Sequence, residues 1–144
     1  MRNMKKIIIF FTSLATFFNA FNQEIEFKEI NNWIKNNPGE LVPIRIEFND
    51  NIDCYKLSQE FKEQQTPVNQ RPKIVNRLLK EQAIKSQEFV LDFLKKQTSS
   101  NTYYHSFWIV NIIVAQVDAA TIEKLVQFPN IKSIKIENNQ FIAH

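Results

Sequence analysis

The chain has 144 residues, enough for one domain with additional segments. Its hydrophobic share of 44% and aromatic share of 12% suit a packed core and not a disordered chain. It has one glycine and neither a GxGxxG nor a Walker pattern, so the sequence gives no support for a glycine-rich nucleotide-binding loop.

The start of the chain is predicted to be a secretory signal over residues 1–22. Three basic residues precede an apolar run over residues 7–18, which is too short to span a bilayer comfortably. We predict cleavage after Asn22, and an uncleaved membrane anchor is the alternative. The protein is therefore expected to be exported to the periplasm or the extracellular space, with no stable membrane span after cleavage. The basic residues are Arg2, Lys5 and Lys6.

The charge of the chain depends on this signal. The full chain has 18 Lys and Arg against 15 Asp and Glu, a net charge of +3. Removing the three basic residues of the signal leaves 15 against 15, because the signal contains no acidic residue. The mature chain is near neutral, so the pI of about 9.0 is no argument for nucleic-acid binding, and no nucleic-acid partner is expected.

The chemistry-bearing residues are few. The single cysteine, Cys54, cannot form an internal disulfide, and with His105 and His144 it matches no metal-ligand spacing. We expect no metal site and no cofactor, and we predict that Cys54 is a small buried apolar residue. No Ser-His-acid constellation is indicated, so the chain is not expected to be an enzyme.

Periodicity predicts three elements in the first half of the mature chain. Residues 23–40 form a leader segment in which Ile30, Trp33 and Ile34 have helical spacing. Residues 41–48 alternate between apolar and polar positions and predict a strand. An insertion over residues 50–70 follows, with a short helix over 53–65 that Asp53 could cap.

The second half of the chain begins with a long amphipathic helix. Pro72 suits the first turn of this helix, which runs to about Gln97. Residues 103–117 are too long for one strand and predict two strands meeting at Asn111, since asparagine tolerates a left-handed backbone. A short helix over 118–127, capped by Asp118, and a strand over 131–136 complete the chain.

This order of elements is typical of the split βαβ, or ferredoxin-like, arrangement. We therefore predict an α+β fold in which two helices cover one face of a four-stranded antiparallel sheet, with an N-terminal helical extension. The other face is predicted to stay free as a docking surface. Aromatic residues near residue 105 could stack bases, but no basic groove accompanies them, so packing in the core or against a partner is favoured. These residues are Tyr103, Tyr104, Phe107 and Trp108.

The last third of the chain contains three informative blocks: Phe107 to Val117, Thr121 to Leu125, and Pro129 to Glu137. With these blocks it resembles the N-terminal pro-domain of subtilisin-like serine proteases. Residues 107–117 are similar to the two central strands of those pro-domains, and residues 121–125 to their second helix. Pro129-Asn130-Ile131, followed by Ile134 and Glu137, resembles the Asp-Pro-Ser-Val and Val-Glu-Glu-Asp endings of the family.

Further similarities extend this resemblance to about residues 40–144. Arg71-Pro72 and the block from Ser106 to Asn111 resemble a longer branch of the family found in exported bacterial subtilases. The chain departs from the short pro-domains in the insertion over 53–69 and in its very long helix. The resemblance implies that residues 41–144 form an inhibitor domain of this type.

Such a domain would inhibit a subtilisin-like serine protease, in cis or in trans, and could assist its folding as an intramolecular chaperone. In the family, an acidic residue after the last strand caps helix N-termini of the protease. Glu137 has that place here, and Asn138 is a second candidate. The tail would lie in the substrate cleft as a product-like ligand. The implied protease-binding residues are Glu137, Asn138, Asn139, Gln140, Phe141, Ile142, Ala143 and His144.

Two other functions are consistent with the sequence. The chain could be the truncated N-terminal part of a secreted subtilisin-like endopeptidase whose catalytic domain is encoded beyond His144. It could also be a generic exported ferredoxin-like module that binds an unrelated partner, because fold alone does not determine function.

Overall fold

The computed structural model describes residues 24–97 and 103–138, which form five strands and four helices. The predicted signal, 1–22, and the predicted tail, 139–144, lie outside the described residues. The elements in chain order are β1 (Glu24–Ile25), α1 (Phe27–Asn36), β2 (Val42–Phe48), α2 (Cys54–Glu63), α3 (Arg71–Lys96), β3 (Tyr103–Phe107), β4 (Ile112–Val117), α4 (Ala119–Leu125) and β5 (Ile131–Ile136).

All five strands lie in one sheet, in the order β1-β5-β2-β4-β3. The strands β2 to β5 are antiparallel, with Val42 opposite Val117 and Ile44 opposite Ile136, which confirms the predicted α+β class and the four antiparallel strands. The short strand β1 pairs with β5 in parallel and was not predicted. It has two residues, too few for a periodic pattern to be recognised.

The core lies on one face of the sheet. The apolar positions of β2 alternate as predicted, and all four are at most 1% exposed. Helices α1, α3 and α4 add Ile30, Leu94 and Ile122 to the same cluster. The predicted leader is therefore part of this core, because Ile30 is fully buried in it. The four core residues of β2 are Val42, Ile44, Ile46 and Phe48.

Two helix starts carry the predicted caps. The Asp53 carboxylate accepts hydrogen bonds from the N–H groups of Tyr55 and Lys56, at 2.9 and 3.0 Å. The Asp118 carboxylate accepts one from the Thr121 N–H at 2.7 Å. Each satisfies backbone donors that a helix start leaves without intrahelical partners. None of the helices in the described ranges has the length and apolarity needed to cross a bilayer.

The prediction that Cys54 is buried was wrong. Cys54 is the first residue of α2 and is exposed, with its Sγ 3.9 Å from the Ile52 carbonyl oxygen. α2 has a single buried residue, Phe61, near its other end. The general tendency of free cysteine to be buried does not apply at Cys54, because the first turn of α2 places no residue in the core.

The turn between β3 and β4 is held by a buried asparagine. Asn111 has the left-handed φ of 51° that was predicted for this reversal and is 5% exposed. Its Nδ2 donates to the Asp50 carbonyl oxygen at 2.6 Å, and its Oδ1 accepts from Gln87 Nε2 at 3.0 Å. Ser106 Oγ donates to Gln87 Oε1. This polar cluster joins the insertion, α3 and the β3–β4 hairpin, which are far apart in sequence.

Candidate functional site

The candidate site is the face of the sheet opposite the core, here called the open sheet face. Its residues alternate with the core residues along each strand, and none of them belongs to the core cluster. At one end it is bordered by α1, across a hollow of about 550 Å³ that Trp33, Arg45 and Lys135 help to line. The face consists of Pro43, Arg45, Glu47, Tyr103, His105, Phe107, Ile112, Val114, Gln116, Ser133, Lys135 and Glu137.

One half of the open sheet face is charged and organised around Arg45. Its Nη1 lies 3.8 Å from Glu137 Oε2, and its Nε lies 3.3 Å from Glu47 Oε1 without the alignment of a hydrogen bond. Ser133 Oγ donates to Glu47 Oε2 at 2.9 Å. Strands β2 and β5 are neighbours, so their side chains form one continuous charged group.

The other half is apolar and aromatic and lies on β3 and β4. The rings of His105 and Phe107 meet edge to face, with centroids 4.6 Å apart. Val114, between Arg45 on β2 and His105 on β3, is 4% exposed. His105 is exposed in the middle of β3, and none of the ion pairs found in the described part of the chain includes it. This half offers a surface for packing.

The open sheet face places charged side chains beside apolar ones. The described residues contain no group of three His, Cys, Asp or Glu that could hold a metal ion. A raised pKa occurs at Glu123, caused first by burial and then by the nearby Asp118 carboxylate. Glu123 belongs to α4, a helix that packs on the core side, so it has no part in the open sheet face. What the face combines is a charged group beside an apolar group, as protein-binding surfaces do.

The structure describes two of the eight residues that the resemblance implied. Glu137 follows β5 directly, is 7% exposed, and its N–H donates to the Pro43 carbonyl oxygen at 3.0 Å. Asn138 is exposed. The residues from Asn139 to His144 lie outside the described ranges.

Sequence reasoning missed the part played by Arg45. The alternation of β2 placed Arg45 and Glu47 together on the outer face, but nothing in the sequence gave the register that brings Glu137 beside them. That register follows from the pairing of Arg45 with Lys135 across β2 and β5. The only signal available was the position of Glu137 one residue beyond a predicted strand.

Comparison with known proteins gave no match: no protein-family model, no curated protein and no solved structure matches this chain significantly.

Proposed function

We propose that the chain is a pro-domain-type inhibitor of a subtilisin-like serine protease. Within this proposal, β2 to β5 with α3 and α4 form the ferredoxin-like sandwich, and β1 with α1 is its N-terminal extension. The observation that carries the proposal is the open sheet face itself. It lies outside the core, and Glu137, which directly follows the last strand, is the residue where the resemblance places the protease contact.

Binding through this face would use its two halves differently. The apolar residues of β3 and β4 would pack against apolar surface of the protease, which supplies affinity. The carboxylate of Glu137 would face helix N-termini of the protease, where backbone N–H groups favour a negative charge. In the free protein, Arg45 lies near this carboxylate, so docking would have to reorganise the ion pair at 3.8 Å.

The tail would complete the interaction. Residues 139–144 follow the exposed Asn138 and would lie extended in the substrate groove, adding a strand to its edges. A product-like segment held there would inhibit competitively. Because the same surface would bind the folded protease and not its unfolded chain, it would also favour folding of the enzyme, which is the chaperone role.

The test is a progress-curve inhibition assay with purified residues 23–144. A panel of subtilisin-type proteases is compared with a trypsin-type enzyme, and circular dichroism confirms that the protein is folded. We expect competitive inhibition that is confined to the subtilisin-type enzymes. Slow cleavage of the protein during the assay would identify a temporary inhibitor.

The alternatives give different results. A truncated endopeptidase predicts that the DNA beyond the codon for His144 encodes Asp-Thr-Gly and His-Gly-Thr motifs, in another or an interrupted frame. A generic exported binding module predicts a folded protein that inhibits no protease of the panel at micromolar concentration. That second result would remove the support for the inhibitor proposal.

A further inference from the structure

We propose a second interaction surface at the outer edge of β3, which binds an extended peptide segment carrying apolar side chains and a carboxylate. Within the described ranges, β3 is the last strand of the sheet and pairs on one side only, with β4. An edge strand presents N–H and C=O groups that an added strand can satisfy. This surface is distinct from the open sheet face and does not depend on the proposed function.

An apolar cleft of about 220 Å³ lies beside this edge, between α3 and the β3–β4 hairpin. We call it the edge cleft. The polar atoms of Gln87 and Ser106 in its wall bond to each other, and Gln87 also bonds to Asn111, so they leave a largely apolar surface. The cleft is lined by Lys80, Ala83, Ile84, Gln87, Leu91, Ser106 and Trp108.

The geometry of β3 would place side chains of an added strand over the edge cleft. Ser106 lies opposite Ile113, a core residue, so its side chain is on the core side of the sheet. Successive side chains of a strand point to opposite faces. Every second side chain of a peptide paired with β3 would therefore lie on the same side as Ser106, over the edge cleft.

Exposed apolar residues extend the cleft to the surface. Ile84 lines its mouth and is 67% exposed, and Ile109 and Val110 follow Trp108 at the tip of the hairpin. Both hairpin residues are more than half exposed. Large apolar side chains that are exposed beside such a cleft lining favour an interaction site.

The positive charge of Lys80 at the edge cleft indicates which charged group a partner would carry. Lys80 Nζ lies 5.0 Å from the centroid of the Trp108 ring, and no carboxylate of the described residues pairs with it. Glu81, the next residue, pairs with Arg77 at 3.3 Å. A carboxylate on the partner is therefore favoured. An extended peptide uses the backbone edge, the cleft and the lysine together, whereas a lipid would use only the last two.

The test uses the full chain, labelled with ¹⁵N, and the peptide acetyl-Thr-Val-Thr-Val-Asp-Val-Thr-amide. Its control has lysine in place of the aspartate. Binding is followed by amide chemical shifts and hydrogen exchange. We expect shifts and slower exchange at the amides of β3, and an affinity for the control that is lower by about two- to fivefold, as for an exposed ion pair.

Variants on α3 separate the edge cleft from general surface effects. Ile84→Asp should weaken binding by about tenfold or more, because it places a charge in the apolar mouth. Phe89→Asp is the matched control, since Phe89 is similarly exposed on the same helix but does not line the cleft. Lys80→Glu should reverse the preference between the two peptides.

Four results would overturn the proposal. The first is that the chemical shifts of the β3 amides do not change at saturating peptide. The second is that Ile84→Asp and Phe89→Asp lose equal affinity for the peptide. The third is that a second copy of the chain occupies the cleft, seen as a dimer that Ile84→Asp dissociates. The fourth is binding to phosphatidylglycerol vesicles that requires Ile84 while neither peptide binds.

Discussion

Glu137 is the residue on which the proposed protease contact can be tested most directly. Its carboxylate is nearly buried and lies beside Arg45, so Glu137→Lys would place two cations together and disturb the fold as well as the interface. Glu137→Gln removes the charge while keeping the size. We expect the inhibition constant to rise about fivefold, or about 1 kcal/mol, because a charge at a helix N-terminus is lost.

Glu47→Gln is the control for this change. It removes the same charge from the same face and also loses a contact with Arg45, at 3.3 Å. We expect a smaller effect on inhibition, since Glu47 lies within β2 and away from the strand end. Urea unfolding of both variants separates stability from binding. An inhibition constant that is unchanged in folded Glu137→Gln would exclude Glu137 from the interface.

Asn111 is predicted to be among the most sensitive residues for stability. Asn111→Ala would remove the buried Oδ1 that accepts a hydrogen bond from Gln87 Nε2. It would also place in the turn an alanine, which tolerates a φ of 51° less well than asparagine does. We expect a loss of about 2–4 kcal/mol in the free energy of unfolding, measured by urea denaturation.

Asn111→Gly separates the two causes. Glycine adopts the left-handed backbone readily, so the change removes the side-chain hydrogen bonds to Asp50, Gln87 and Ser86 without straining the backbone. The loss should be smaller than in Asn111→Ala. Equal losses would mean that the backbone conformation contributes nothing measurable.

Glu123 is expected to make stability depend on pH. Its folded-state pKa is raised above 4.5 by burial and by Asp118, so the folded protein holds this proton more strongly than the unfolded chain. Stability contributed by the protonated carboxyl is therefore lost as pH rises from about 4.5 through the folded-state pKa. Glu123→Gln should be more stable than the parent at pH 7, and this gain should vanish near pH 4.

Asp118→Asn provides the matching control for Glu123. Asparagine can still accept the Thr121 N–H hydrogen bond as a helix cap, while the repulsion between the two carboxylates is removed. The pH dependence of stability should become weaker in this variant. A gain of Glu123→Gln that is the same at pH 4 and pH 7 would contradict the raised pKa.

The residues whose roles were predicted correctly from the sequence affect the backbone next to them in the chain. Asp53 and Asp118 cap the helices that begin beside them, and Asn111 supplies the φ of its own turn. Arg45 could not be assigned in the same way, because its partner Glu137 is distant in sequence and depends on strand register. The prediction for Cys54 was wrong because the general tendency of free cysteine to be buried was applied without regard to the position of Cys54 at the start of a helix.

At the scale of elements, the segment after β5 carries the strongest prediction. A chain ending at Asn138 keeps every described strand and helix, so its fold and free energy of unfolding should be unchanged. Inhibition of the proposed target protease should fall by at least about a hundredfold, because the segment proposed to pair with the substrate cleft would be absent. The measurement is the same progress-curve assay.

The truncation is informative when the shortened protein is shown to be folded in the inhibition assay. Full inhibition by the chain ending at Asn138 would remove the cleft from the mechanism and leave the open sheet face as the sole contact. Replacing Phe141 and Ile142 by serine is a milder control that keeps the chain length. We expect an intermediate loss, since the backbone can still pair.

Elements long enough to show a repeating pattern of apolar residues were predictable from the sequence. The long helix α3 was expected from Pro72 to about Gln97 and runs from Arg71 to Lys96, because its apolar stripe repeats over seven turns. The leader was recognised as helical, but its place in the core was not. Ile30 lies in that core, and β1, just before its helix, pairs with β5; neither contact leaves a periodic signal in the sequence.

For the whole molecule, the fold class followed from the order of elements, and the composition of the open sheet face did not. The alternation in β2 established that one face would be apolar and the other polar. The number of charges on that face, and their pairing around Arg45, came from the register of two neighbouring strands, β2 and β5. A partner is not encoded in that pattern, so the protease assignment depends on the inhibition assay.

The short strand β1 lies directly after the predicted signal cleavage site. If the signal is removed after Asn22, the mature chain starts at Gln23 and β1 begins at its second residue. Cutting three residues later would delete β1 and leave the outer edge of β5 open to pairing with another molecule. The site of that cleavage would thus decide whether the outer edge of β5 is covered by β1 or is free to pair with another molecule.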